Sequence, residues 1–272
     1  MISVIMGAYN AERCIARAAE SILCGTYRDT ELIIVDDGST DGTKEVLEKL
    51  ALADDRVKII YNAQNRGLTF SLNLALKSAR GEYIARMDAD DFSHPDRLEK
   101  ELAFLEAHEE YAFVCSAARL TCRGKVYGER KYMPAPTKSD LASRCTFIHP
   151  TLLIRREALL RAGGYRDKKF TRRCEDYDLY FRLYKSGLYG YNIQEALLDY
   201  EEDPYDISKH TPKTRLNEFA VRMRGCAAIN RPIGFFIALK CLLLIFIPKK
   251  LYLSLKNKRR ENIIYEEKDG LA

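Results

Sequence analysis

Residues 81–91 read G-E-Y-I-A-R-M-D-A-D-D, an apolar run over 83–87 that ends in three aspartates, Asp88, Asp90 and Asp91. Short apolar runs cut off by acidic or turn residues behave as buried strands whose far ends carry polar groups. The pattern occurs three times upstream. Residues 2–6 stop at Gly7 and lead into Tyr9-Asn10, residues 32–35 stop at Asp36-Asp37-Gly38, and residues 57–61 precede Asn65-Arg66-Gly67. After each run, apolar residues recur at helical spacing: Ile15, Ala18 and Ile22, then Val46, Leu47 and Leu50, then Leu68, Leu72 and Leu76, then Leu98, Leu102 and Leu105. Ser93 and Asp96, with Pro95 in the first turn, mark where the last of these helices starts. Four strand–helix units with apolar strands predict an α/β fold, a mostly parallel sheet flanked by helices on both faces.

Beyond this region the pattern is mixed. Strands are expected over 113–120 and 151–154, and a helix over 175–186 with Leu179 and Leu183 on one face and Gly187 as its stop. The composition, 47% hydrophobic and 31% charged over 272 residues, is that of a folded globular chain and excludes disordered and collagen-like classes. The formal charge of +5 is local. Six Lys and Arg lie between 249 and 260 with no acid among them, so +5 less +6 leaves the rest at −1. That distribution argues against nucleic acid as a partner. Eight cysteines without C-x-x-C spacing, behind an N-terminus with no basic leader, lead us to expect an intracellular, cytoplasmic protein with no zinc site.

The last sixty-odd residues change character. P-I-G-F-F-I-A-L-K-C-L-L-L-I-F-I-P, residues 232–248, is interrupted only by Lys240 and leads directly into the basic run 249–260. Its fifteen residues between prolines would span about 22 Å as a helix, against a hydrocarbon core of roughly 30 Å. Apolar and basic segments side by side predict a helix lying in an anionic membrane face, peripheral rather than spanning. A buried helix followed by a solvated tail is the alternative.

In a doubly wound sheet, ligands bind beyond the C-terminal ends of the parallel strands. Tyr9, Asp36, Asp37, Arg66, Asp88, Asp90 and Asp91 all fall there. So many carboxylates repel one another unless a cation compensates, and hard oxygen donors suit Mg²⁺ or Mn²⁺. Each acid alone is ordinary, because Asp at a strand end is a common turn former. Their order on successive strands is not.

Taken together, V-I-M-G-A-Y-N, I-I-V-D-D-G-S-T-D-G-T, N-R-G-L, G-E-Y-I-A-R-M-D-A-D-D and R-R-C-E-D-Y-D-L resemble the ordered motifs of family-2, GT-A-fold glycosyltransferases. The similarity is strongest to exopolysaccharide-operon members. It covers about residues 1–205, which are expected to form the glycosyltransferase domain, with 206–272 a helical, membrane-associating extension. The resemblance implies that Gly7 and Tyr9 line the nucleotide pocket, Asp37 accepts the N3–H of a uracil, Asp36 orients the loop, and Arg66 supplies charge to the diphosphate or ribose. Asp90 is the implied direct metal ligand, with Asp88 toward the ribose or the metal, and Asp91 open between ligand and helix cap. Asp176, paired with Glu175 at the start of a helix, is the implied general base.

The pattern departs from the family at Gly7-Ala8, where Pro is frequent, and at Leu72, where Arg often precedes Asn73. Arg172 and Arg173 are candidate cations for the leaving diphosphate or part of a solvated loop. His149 is either an acceptor contact or part of an X-Pro turn. His210 reads as solvated, and Tyr177, Tyr180 and Tyr184 read as packing. The expected reaction is metal-dependent, inverting transfer of a sugar from a UDP-linked donor to a growing lipid-linked oligosaccharide, at the inner face of the cell membrane, in exopolysaccharide or capsule synthesis. The rival reading is a catalytically silent relative acting as a membrane-anchored interaction protein. A nucleotidyltransferase would need a basic, glycine-rich loop after the first strand, which G-A-Y-N-A-E-R does not supply.

Overall fold

The computed structural model describes residues 1–205, 211–245 and 247. The chain begins with β1 (Ile2–Ala8), α1 (Ile15–Leu23), β2 (Thr30–Asp36), α2 (Thr43–Ala53), β3 (Val57–Tyr61), α3 (Leu68–Ser78) and β4 (Tyr83–Asp88). It continues through β5 (Phe92–Ser93), α4 (Arg97–Ala107), β6 (Tyr111–Cys122), β7 (Lys125–Arg130), α5 (Lys138–Ser143), β8 (Leu153–Arg155) and α6 (Arg156–Arg161). Then come α7 (Glu175–Lys185), β9 (Tyr189–Glu201), α8 (Pro212–Ala228) and α9 (Ile233–Leu243).

The strands form one mixed sheet in the order β3-β2-β1-β4-β8-β6-β9-β5, with β7 paired to β6. As expected, β3, β2, β1 and β4 run parallel. The second half departs from that regularity. Strand β8 enters reversed between β4 and β6, while β9 runs parallel to β6. Side chains alternate across the parallel half. Ile5, Ile33 and Val35 pack toward Leu72, Ala75 and Leu76, and Val4, Met6, Leu32 and Ile34 pack toward Ile15, Ala18 and Leu47. Coverage of both faces explains why every residue of β2 is buried. The chain order reverses direction at β1 and β4, so the crevice beyond their ends is the natural ligand site.

Helix α4 starts later than Ser93, because β9 takes Phe92 and Ser93 as a short antiparallel partner. Its cap is Asp96, without a side-chain hydrogen bond. In its first turns Arg97 and Glu101 form a fully buried pair at 3.2 Å. The Arg97 guanidinium also donates to the backbone carbonyl of Arg86 at 2.8 Å, so the pair grips β4 two residues before its first aspartate. Burial pushes the Glu101 carboxyl up to about 7 against the pull of Arg97.

Within the described residues, the apolar segment is helical over Ile233–Leu243. Among the described residues no helix is long and apolar enough to cross a membrane. Helix α9 docks through Gly234, Ala238 and Cys241. A Cβ at Gly234 would lie 2.1 Å from Cys226 Sγ of α8, which is why the contact needs glycine. Ile233, Phe236 (73% exposed), Leu239 and Leu243 face outward. The basic run 249–260 and His210 lie outside the described residues.

Removing one member of a buried pair strands the other charge. Arg97→Met should therefore cost about 3–5 kcal/mol in urea unfolding, and the double variant Arg97→Met/Glu101→Met less than that. A single-variant cost under about 1 kcal/mol would show that the pair does not hold β4.

Candidate active site

The rim beyond the ends of β1, β2 and β3 is built by loops that tie one another down. At the end of β1, Gly7 lies so close to α3 that a Cβ would meet Leu68 Cδ1 at 2.9 Å. Tyr9, 48% exposed, stands at the rim. The backbone N–H of Asn10 donates to Ser39 Oγ at 2.9 Å, joining the β1 and β2 loops. Asp36 holds the second loop by accepting from the Ser39 N–H at 3.0 Å and its hydroxyl at 2.5 Å.

Asp37 is buried and accepts from Asn62 Nδ2 at 2.7 Å and from the backbone N–H groups of Arg66 and Gly67 at 2.9 and 2.6 Å. Gly67 has φ +93°, a conformation that favours glycine, and caps α3. One carboxylate thus shapes the whole β3–α3 loop. It has about four acceptor positions, of which three are used. Arg66 is exposed, its guanidinium 4.0 Å from the Phe70 ring centre.

At the end of β4, carboxylate oxygens of Asp88, Asp90 and Asp91 lie within 4.8 Å of one another. Asp91 is buried. Its Oδ1 accepts from the Glu201 N–H at 3.0 Å, and its Oδ2 has no partner. Burial and the neighbouring charges of Asp88 and Asp90 raise its carboxyl well above the ordinary range. It therefore ties β4 to β9 and caps no helix. Three hard oxygen donors, one buried and unsatisfied, fit a divalent cation such as Mg²⁺ or Mn²⁺.

Glu175 and Asp176 open α7, where the helix dipole favours negative charge. Asp176 Oδ1 accepts from the Tyr177 N–H at 2.7 Å. Burial, then the charge of Asp176, pushes Glu175 up to about 7. Burial raises Asp176 as well, while Arg86 pulls both down. This pair and Asp88 line one cavity of about 450 Å³, together with Arg86, His149 and Tyr200. Thr214, Arg215, Glu218 and Arg222 of α8 form another wall, so the C-terminal extension takes part in the site.

Arg66, Arg172, Arg173 and Glu175 line an adjoining groove of about 520 Å³, which links the β3–α3 loop to α7. Gly7, Tyr9, Asp37 and Asp90 lie outside the lining of both spaces. His149 is buried, with Nε2 2.9 Å from the Tyr165 hydroxyl. Burial and the nearby Arg86 charge hold it neutral. The three α7 tyrosines are buried packing residues, and Tyr177 also reaches the cavity wall.

Sequence reasoning missed Arg86, Tyr200 and the α8 residues. Arg86 alone carried a signal, as a charged side chain inside an otherwise apolar strand.

The family model for "Glycosyl transferase family 2" matches residues 3–163. EpsE of Bacillus subtilis, a glycosyltransferase by its designation, is 37% identical over 100% of this chain and 97% of its own. The Escherichia coli protein WfaP, a UDP-Glc:alpha-D-GlcNAc-diphosphoundecaprenol beta-1,3-glucosyltransferase, is 30% identical over 87% of this chain and 91% of its own. Two solved structures share the GT-A fold. S. aureus TarS in complex with UDP-GlcNAc aligns with TM-score 0.67 and 19% identity, over 86% of this chain and 73% of that one. Mannosyltransferase PcManGT from Pyrobaculum calidifontis, in complex with GDP-Man and Mn²⁺, aligns with TM-score 0.64 and 19% identity, over 94% of this chain and 79% of that one.

Proposed function

This chain belongs to glycosyl transferase family 2, and on that premise we propose that it transfers a sugar with inversion from a UDP-linked donor to a lipid-linked oligosaccharide. The supporting observation is that Asp88, at the end of β4, and the Glu175–Asp176 pair, at the start of α7, line one cavity. A donor held on the first side and an acceptor hydroxyl on the second would meet inside it.

In this reading Gly7 and Tyr9 border the base, and the remaining acceptor position of Asp37 takes the uracil N3–H. Arg66 faces the ribose or diphosphate. Asp90 and Asp88 hold Mn²⁺ or Mg²⁺, which supplies positive charge to the diphosphate when bound. Asp176 takes the proton of the acceptor hydroxyl as its oxygen attacks the anomeric carbon. The bond from that carbon to the diphosphate oxygen breaks, and its electron pair leaves with UDP. One displacement with one base inverts the centre. Glu175 keeps a carboxyl beside the base, and burial raises both carboxyls, so Asp176 holds a proton more tightly than an exposed carboxylate does.

The acceptor assignment rests on the α8–α9 extension. Helix α9 exposes Ile233, Phe236, Leu239 and Leu243 and is followed in sequence by the basic run 249–260. That combination suits peripheral binding to an anionic inner membrane face. The full-length similarity to EpsE and the lipid diphosphate in the name of WfaP support a role in exopolysaccharide or capsule synthesis.

Calorimetry of UDP binding, with and without Mn²⁺, tests the donor site. The wild type should bind only with metal, and Asp90→Ala should lose at least tenfold in affinity. Metal-independent binding, or no binding of UDP, GDP, dTDP or CMP, would favour a silent relative. For the membrane face, sedimentation with phosphatidylglycerol vesicles should capture the wild type and release Phe236→Glu. Equal sedimentation of both, or of neither, would refute that surface.

A further inference from the structure

Arg86 lies in β4 two residues before Asp88, and its side chain is only 4% exposed. Its Nη2 pairs with Asp88 Oδ1, while Nε and Nη1 are buried without any partner. The backbone is fixed on both sides. Its N–H donates to the Leu152 carbonyl at 2.8 Å, and its carbonyl accepts from Arg97 at 2.8 Å. Arg86 lines the same cavity as Asp88 and the Glu175–Asp176 pair.

Folding alone does not account for this residue. A buried guanidinium loses its hydration, and each unmet donor adds a further cost. Its neighbours Ala85 and Met87 show that this strand otherwise takes apolar side chains. A costly guanidinium on a fixed strand, oriented by a carboxylate and lining a cavity, is a preorganised donor for ligand oxygens. The surroundings narrow the ligand. The carboxylates of Asp88, Glu175 and Asp176 already repel an anion, and the space they enclose is where the transferred ring would sit between leaving diphosphate and base.

We propose that Arg86 is a donor-sugar residue: its guanidinium, on the wall of the cavity that Asp88 and Asp176 also line, donates to an oxygen of the hexose being transferred. This rests on the site being a sugar-transfer site, and it adds the residue that distinguishes a nucleotide sugar from the bare nucleotide. The carboxylate of Asp88 orients the guanidinium, and the Arg97 contact keeps the strand from relaxing away.

The test compares affinities for UDP and for UDP-glucose, UDP-N-acetylglucosamine and UDP-glucuronate, with Mn²⁺, in wild type, Arg86→Lys and Arg86→Met. Any effect through Asp88 weakens UDP and UDP-sugars alike, so the readout is the ratio of the two affinities. In the wild type at least one UDP-sugar should bind more tightly than UDP. Arg86→Met should cut that ratio about tenfold or more, toward one, and Arg86→Lys should recover part of it. If Arg86→Met does not fold, the lysine variant carries the comparison and should still lower the ratio. An unchanged ratio in the folded variants, or a wild type in which no sugar adds affinity, would overturn the proposal while leaving the nucleotide site standing. Failure of UDP itself to bind would instead overturn the functional reading beneath it.

Discussion

Strand β4 must end in the same place every time, because three carboxylates that repel one another are attached to its tip. The fold meets this demand with buried charge. Arg97 and Glu101, both inaccessible to solvent, approach from α4, and the arginine holds the carbonyl of Arg86. On the opposite side, β8 closes the strand with its own backbone pairing. The acid cluster therefore sits on a strand clamped by a helix and a neighbouring strand. Sites on such elements hold geometry better than sites on free loops.

Charge balance is the second theme. Asp91, Glu175 and Asp176 are all raised by burial, and in each case Arg86 works against the rise. Arg86 thus acts both on the aspartates that follow β4 and on the Glu175–Asp176 pair. The same cation, together with burial, keeps His149 neutral, so that imidazole contributes no competing positive charge to the cavity.

Much of the parallel half was legible in the sequence, because apolar runs of five or so residues and helical spacing both report burial directly. Strand β3 occupies the expected 57–61, and the acids fall at strand ends as read. The second half was harder for physical reasons. Strand β8 is three residues long, too short to announce a direction, and β9 breaks strict alternation of burial along a bulged pairing with β6. Ser93 looked like a helix start because its chemistry suits a cap, yet long-range pairing with Leu198 claimed it. At the site, Asp37 and Asp88 were visible because acids at strand ends stand out, whereas Arg86 was hidden within a motif valued for its aspartates. The α8 wall could not be read at all, since nothing local in P-K-T-R-L-N-E-F says which surface it will cover.

In the proposed reaction the aspartates that follow β4 and the Glu175–Asp176 pair serve one reaction centre. A crystal structure of Asp176→Asn soaked with Mn²⁺ and the tightest-binding UDP-sugar tests it most directly. The ion is expected on Asp90 and Asp88, the diphosphate beside it, and the anomeric carbon in the cavity facing residue 176. An ion bound elsewhere, or a sugar directed away from α7, would contradict it.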